Sequence, residues 1–186
     1  VTRIYYDTEF LDTGREIELI SIGLVSDDGP EYYAVASDAP WDEIAHHRWL
    51  CDNVVPYLPL AGEVRKLPFG SGSTFTIDLG HAAVKPRWVI ANEVRQFILD
   101  IPHPELCAWY AAYDHVALAQ LWGPMIKLPK GIPMFTCDLK QDHVRLGEPQ
   151  LPRQTTTSHH ALADAQWNRQ VGRYLQELDR KGKTRG

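Results

Sequence analysis

Cysteine is scarce in this 186-residue chain: Cys51, Cys107 and Cys137 are odd in number and show no Cys-x-x-Cys spacing. That excludes a disulfide framework and a cysteine zinc site, and it points to reduced thiols in a cytoplasmic protein. Long apolar runs are lacking too. No stretch approaches the ~18 residues a membrane span needs, and the opening residues do not read as a signal peptide, so no membrane partner is expected. The third absence is an excess of positive charge: 19 Lys and Arg against 24 Asp and Glu give a formal charge of −5. Such a balance argues against gripping nucleic acid by bulk electrostatics. A carboxylate-rich metal site would itself add negative charge, so the balance does not identify a partner.

What is present is ordinary globular material, 44% hydrophobic and 23% charged, in a length that suits one domain. The expected organisation is a single domain over 1–180 with a loop-rich insertion at about 55–80 and a basic tail at 181–186. Arg3–Phe10, Glu16–Ser26 and Glu31–Ala36 read as three strands joined by tight turns, the second turn being Asp27-Asp28-Gly29-Pro30. A helix is expected over Trp41–Leu50, capped by Asp38 or Asp42. Pro56, Pro59, Pro68, Gly70 and Gly72 break the next stretch, leaving one short strand at Thr74–Ile77. Pro86 opens a helix over Arg87–Leu99 with Ile90, Val94, Phe97 and Ile98 on one stripe. Glu105–Tyr110 reads as a strand, His115–Leu121 as a helix and Ile132–Cys137 as an extended run. Asp138 caps a helix through Val144, and Ser158 caps a long last helix from His160 to Leu178, with the chain frayed beyond it. This is an α/β pattern: a mixed sheet, antiparallel meander plus parallel strands, flanked by helices.

Period-two geometry puts Asp7 and Glu9 on one face of the first strand, roughly 7 Å apart, where they repel unless a proton or cation lies between them. An acid pair on a solvent-facing strand ordinarily carries no function, and Asp114, at a strand-to-helix junction, reads on its own as an N-cap, though a sheet edge is also where α/β enzymes gather ligands. Asp164 is harder to set aside. It continues the apolar stripe of Trp167, Val171, Tyr174, Leu175 and Leu178, and an inward carboxylate is costly unless paired, protonated or metal-bound. His159 lies five residues before it.

Together these residues resemble the DEDDh 3′-to-5′ exonucleases, and within them most closely the small actinobacterial RNase T-like exoribonucleases. Asp7-Thr8-Glu9 matches the family's Asp-x-Glu, Asp114 its middle Asp, and His159-His160-Ala161-Leu162-Ala163-Asp164 its His-x-Ala-x-x-Asp, a match running from residue 7 to residue 164. The resemblance implies an RNase H-like fold and a two-metal exoribonuclease acting on single-stranded 3′ ends or overhangs of RNA, adenylate-rich tails among them. It assigns two Mg2+ ions, with Mn2+ as a substitute, to Asp7, Glu9, Asp114 and Asp164, and the general base to His159 rather than His160. It also implies a homodimer, in which a second protomer completes the substrate groove. Phe10, Trp109 and Tyr113 are candidate base-stacking residues with a core role as the alternative, and Arg145, Arg153 or the tail could contact phosphates. One departure is Tyr110, where many members carry Asn. A DNA exonuclease and an oligonucleotide or dinucleotide phosphodiesterase on the same fold stay open, since no residue here separates RNA from DNA. A non-catalytic nucleic-acid-binding module is disfavoured because all four carboxylates are present.

Overall fold

The computed structural model describes residues 1–27 and 29–183. Its first three strands are the expected meander: β1 (Thr2–Asp12), β2 (Ile17–Ser26) and β3 (Glu31–Ala36) pair antiparallel. Asp28, within the second turn, lies outside the described residues. Three shorter strands extend the sheet in parallel: β6 (Val84–Lys85) beside β3, β7 (Pro104–Ala108) beside β1 and β8 (Cys137–Asp138) beside β7. The order is β6-β3-β2-β1-β7-β8, a mixed sheet with helices on its faces.

Both faces of β1 are covered, because Ile4, Tyr5 and Tyr6 are all fully buried. One face carries Ile4, Tyr6, Ile22, Leu24 and Ala34. It packs on Ile90, Val94 and Ile98 of α3 (Arg87–Leu99) and on Ala117 and Leu118 of α4 (Ala112–Gln120) to form the main core. Across the other face lies α6 (Ala161–Lys183), held close by two glycines. A Cβ on Gly172 would fall inside the Tyr5 ring, and one on Gly23 would collide with the backbone of Ala161 and Leu162. Gly23 stands directly opposite Asp7 in the β1–β2 register. The start of α6 therefore settles beside Asp7.

Several expectations need correction. The helix over Trp41–Leu50 is two helices, α1 (Trp41–His46) and α2 (Arg48–Asn53), because His47 is extended (φ −93°, ψ 97°) and its Nδ1 accepts from the Leu50 N–H. Neither Asp38 nor Asp42 caps α1; Asp38 accepts instead from the Arg87 N–H at the start of α3. The insertion holds a hairpin of β4 (Arg65–Lys66) and β5 (Ser73–Thr74), and Ile77 only bridges to Leu60. β7 stops at Ala108, since Tyr110 turns into the left-handed region (φ 55°). Within the expected run at 132–137 only Cys137 is strand. Asp138 does cap α5 (Leu139–Arg145), accepting from the Lys140 and Gln141 N–H groups. His160, not Ser158, supplies the first acceptors of α6, taking the Asp164 N–H on its carbonyl and the Ala163 N–H on Nδ1. That helix runs to Lys183, beyond the expected end at Leu178. Of the expected tail, 181–183 are helical and 184–186 lie outside the described residues.

Candidate active site

β7 pairs with β1 only from Thr2 to Tyr5, so that edge of β1 is open from Tyr6 onward. The open edge creates the site. With no strand neighbour there, the Thr8 N–H needs another acceptor, and Asp114 in the first turn of α4 provides it: Asp114 Oδ1 accepts from Thr8 N at 2.8 Å and from Thr8 Oγ1 at 2.6 Å. Asp114 is therefore not the N-cap of α4, a position held by Ala111. The Thr8 side chain leaves the strand on the face opposite Asp7 and Glu9 and still serves the site through its bond to Asp114.

The face bearing Asp7 and Glu9 meets the start of α6. Asp164 reaches it from the flank of that helix, whose innermost stripe is Ala161, Ala165, Asn168, Val171 and Leu175, so Asp164 is half-buried and not central as the apolar spacing suggested. Both its oxygens are oriented: Oδ1 accepts from Gln154 Nε2 at 2.5 Å and Oδ2 from the His159 N–H at 2.8 Å. The second bond requires the chain to turn sharply at His159, whose φ of 63° is a strained value for a residue with a Cβ. Ligand atoms of Glu9, His159 and Asp164 lie within 4.8 Å of one another.

Asp7, Glu9, Asp114, His159 and Asp164 line one cavity of about 330 Å³. Phe10, Trp109 and Tyr113 line it too. Phe10 and Tyr113 stack with ring centroids 6.0 Å apart, and Tyr113 is largely exposed, whereas Trp109 is wedged against Trp167 and His143. His160 is excluded from the cavity, because its ring stacks on Tyr33 at 4.5 Å and caps its own helix. Arg145 is bound to Asp142 and Asp179, away from the cavity, while Arg153 is exposed on the loop before His159.

Burial, with neighbouring acids adding to it, makes Asp7, Glu9 and Asp114 reluctant to ionise. Burial, then the neighbouring Asp114, Glu9 and Asp164, holds Asp7 well above the usual carboxylate range. Glu9 is pushed up to about 8 by burial and then by Asp164 and Asp114. Asp114 rises to about 6 through burial, against the pull of its two Thr8 hydrogen bonds. Among the described residues no Lys or Arg forms an ion pair with any of the four. Hard oxygen donors gathered without a balancing cation are the donor set that Mg2+ or Mn2+ prefers, so these residues fit divalent cations.

Sequence reasoning missed Gln154 and Asn168. Asn168 is 1% exposed, lines the cavity and holds the Tyr6 carbonyl at 2.9 Å. Neither belongs to a motif. Gly23 did carry a signal, as a lone glycine within an apolar strand marks a close backbone approach.

Comparison with known proteins gives close relatives. The chain is 37% identical over 183 residues, covering 97% of each chain, to the 3′-5′ exoribonuclease Rv2179c of Mycobacterium tuberculosis H37Rv and to its counterpart MT2234.1 in strain CDC 1551. No family model matches the chain. Among solved structures, one of the yeast NOT1 MIF4G domain co-crystallized with CAF1 aligns over 94% of this chain and 80% of that one, at 15% identity and a TM-score of 0.43, too loose to bear on fold or function.

Proposed function

Because the chain belongs to the family of these mycobacterial 3′-5′ exoribonucleases, we propose that it hydrolyses RNA from single-stranded 3′ ends, as an RNase H-like enzyme of the DEDDh type. The observation that carries the reading is the convergence of Asp7, Glu9, Asp114, His159 and Asp164 on one cavity from three separate parts of the chain. Asp7, Glu9, Asp114 and Asp164 would hold two Mg2+ ions, or Mn2+ in their place. Bound there, the cations supply positive charge for the attacking and leaving oxygens of a phosphodiester.

The protein's own groups do the rest. Asp7, opposite Gly23 in the β1–β2 register, would be among the residues that hold the cations. Thr8 fixes Asp114, and Gln154 with the His159 N–H fixes Asp164, the kind of outer support that keeps ligands in geometry. His159 takes the proton of the attacking water. Its ring sits at the cavity, while its backbone is tied to Asp164, so base and carboxylate move as one unit. Phe10 and Tyr113 form an aromatic wall for the terminal bases, adenylates among them. Pairing as a homodimer is supported by an apolar surface of Met125, Ile126, Met134 and Phe135, with Ile126 91% exposed; a fully active monomer in sedimentation would argue against it.

The test uses 5′-labelled RNA and DNA of one sequence with Mg2+, an EDTA control and the Asp7→Ala variant. A ladder shortening from the 3′ end of RNA alone, lost in both controls, is the expected result. Internal cuts, or no product with any divalent metal, would overturn the proposal. His159→Ala should lower the rate by about 10²–10⁴-fold while Mn2+ binding, followed by calorimetry, stays close to that of the parent.

A further inference from the structure

β1 loses β7 as a neighbour after Tyr5, and the backbone groups of Tyr6 and Thr8, two residues apart, face that open edge. Side chains take the place of the missing strand. Asn168 Nδ2, on α6, donates to the Tyr6 carbonyl at 2.9 Å, and Asp114 Oδ1, on α4, accepts from the Thr8 N–H at 2.8 Å. The Tyr6 carbonyl belongs to the peptide plane before Asp7, and the Thr8 N–H to the plane after it. Because each peptide unit is rigid and planar, these two bonds pin both planes that meet at the Asp7 Cα. They thereby set the direction in which the Asp7 side chain leaves the strand. Asp114 is itself one of the four acids, whereas Asn168 is not. It lies one helical turn after Asp164 on the innermost stripe of α6, 1% exposed, among the fully buried Ala161, Ala165 and Val171. Its Oδ1 is buried with no partner among the described residues. An unpaired buried oxygen is unfavourable, so what the amide contributes at this place is its bond to Tyr6.

We propose that Asn168 is a positioning residue for Asp7: it fixes the backbone on one side of that acid, as Asp114 does on the other, and ties the acid to the helix that carries Asp164. The assignment rests on the reading above, in which Asp7 helps to hold the cations. Through this bond α6 sets two acids at once, Asp164 directly and Asp7 by way of the Tyr6 carbonyl. The alternative to be separated is a purely structural role, in which the amide does no more than satisfy a carbonyl that has lost its strand partner.

Three variants separate the two roles. Asn168→Leu keeps the volume and removes the donor. Asn168→Ala also removes the donor but leaves room for a water at the carbonyl, which protects folding if the leucine variant folds poorly. Val171→Ala, three residues on in the same stripe and away from the cavity, is the control for lost packing. Both Asn168 variants are expected to bind Mn2+ about 10- to 100-fold more weakly by calorimetry, the range for removing a group that supports a metal ligand. At saturating Mn2+ their kcat on a labelled oligoribonucleotide should fall by a similar factor while KM stays near the parent value. Val171→Ala should lower the melting temperature in EDTA and leave Mn2+ affinity and kcat at parent values. Asn168 variants that melt lower yet bind Mn2+ as the parent does would show a structural role alone and overturn the proposal. An equal loss of Mn2+ affinity in Val171→Ala would overturn it too. A parent protein that binds Mn2+ but leaves RNA intact would sink the exoribonuclease reading alone, and the calorimetric comparison would still decide the role of Asn168.

Discussion

Among the described residues, two clusters have the residue types of a metal site, and they differ in how their charge is settled. Ligand atoms of Glu9, His159 and Asp164 lie within 4.8 Å of one another, and so do those of Glu105, Cys107 and Cys137. In the second, the cation is part of the protein: Arg3 Nε donates to Glu105 Oε2 at 2.5 Å, and the two thiols face each other across the β7–β8 register. In the first, Asp114 and Asp164 accept hydrogen bonds from Thr8, Gln154 and the His159 backbone, and among the described residues no Lys or Arg pairs with Asp7, Glu9, Asp114 or Asp164. The contrast shows why proximity of ligand types is a poor guide by itself. A carboxylate already balanced by a buried guanidinium has little to gain from a metal, while four unbalanced ones are destabilising until a cation arrives.

The sharpest way to break this contrast is to remove one acid from each side. Asp7→Asn should cut exoribonuclease activity by at least about 10²–10³-fold, as for loss of a key electrostatic group. It should also raise the melting temperature measured in EDTA, because a source of repulsion has gone, and shrink the rise that Mg2+ gives. Glu105→Gln should do the reverse: stability falls by about 1–2 kcal/mol as Arg3 loses its half-buried partner, and the Mg2+ response is retained. If Asp7→Asn destabilises the EDTA-treated protein as much as Glu105→Gln does, the distinction fails.

Gly23→Ala tests whether close packing creates the acid cluster. The new methyl would meet the backbone of Ala161 and Leu162, so the start of α6, with His159 and Asp164, must shift. Overpacking of this kind costs about 1–3 kcal/mol. Activity should fall further than stability does, and Mn2+ should bind more weakly by calorimetry. An Ala variant that binds metal like the parent would show that the helix start is free to adjust.

pH gives a smaller, graded effect. In the folded protein Glu9 is held near 8, Asp114 near 6 and Asp7 well above its ordinary value, whereas in the unfolded chain all three release protons near 4. The folded state therefore binds more protons across that window, so the cluster's contribution to stability falls as pH rises from about 4 toward 8. Thermal melts in EDTA at pH 6 and 8 should show a loss for the parent protein and a smaller one for Asp7→Asn, and Mg2+ should restore more at pH 8. Identical pH dependence in the two proteins would count against the cluster.

Much of this was legible beforehand, and the gaps have physical causes. The meander, α3 and the long last helix follow from period and turn residues. The order Asp7, Glu9, Asp114, His159, Asp164 was readable as a pattern. Asp114 on its own read as a cap because nothing in the sequence says that β7 leaves β1 after Tyr5, and that early departure is what frees the Thr8 N–H for it. The break at His47 depends on one residue's backbone angles. Gln154 sits in a loop whose path only the folded chain defines.

Tyr110 offers the mildest perturbation and a check on where strain, as opposed to charge, is stored. It follows β7 with φ at 55°, a region that costs roughly 1–3 kcal/mol for strained residues and that Asn tolerates better than Tyr. The Tyr110 ring is 61% exposed and meets Trp109 at 5.7 Å, so little packing is lost with it. Tyr110→Asn should therefore leave stability level or raise it by about 0.5–1 kcal/mol. The Mg2+ response of the melting temperature should not move, because no carboxylate changes. A clear loss of stability would show that the ring's contact with Trp109 outweighs the backbone strain at this corner.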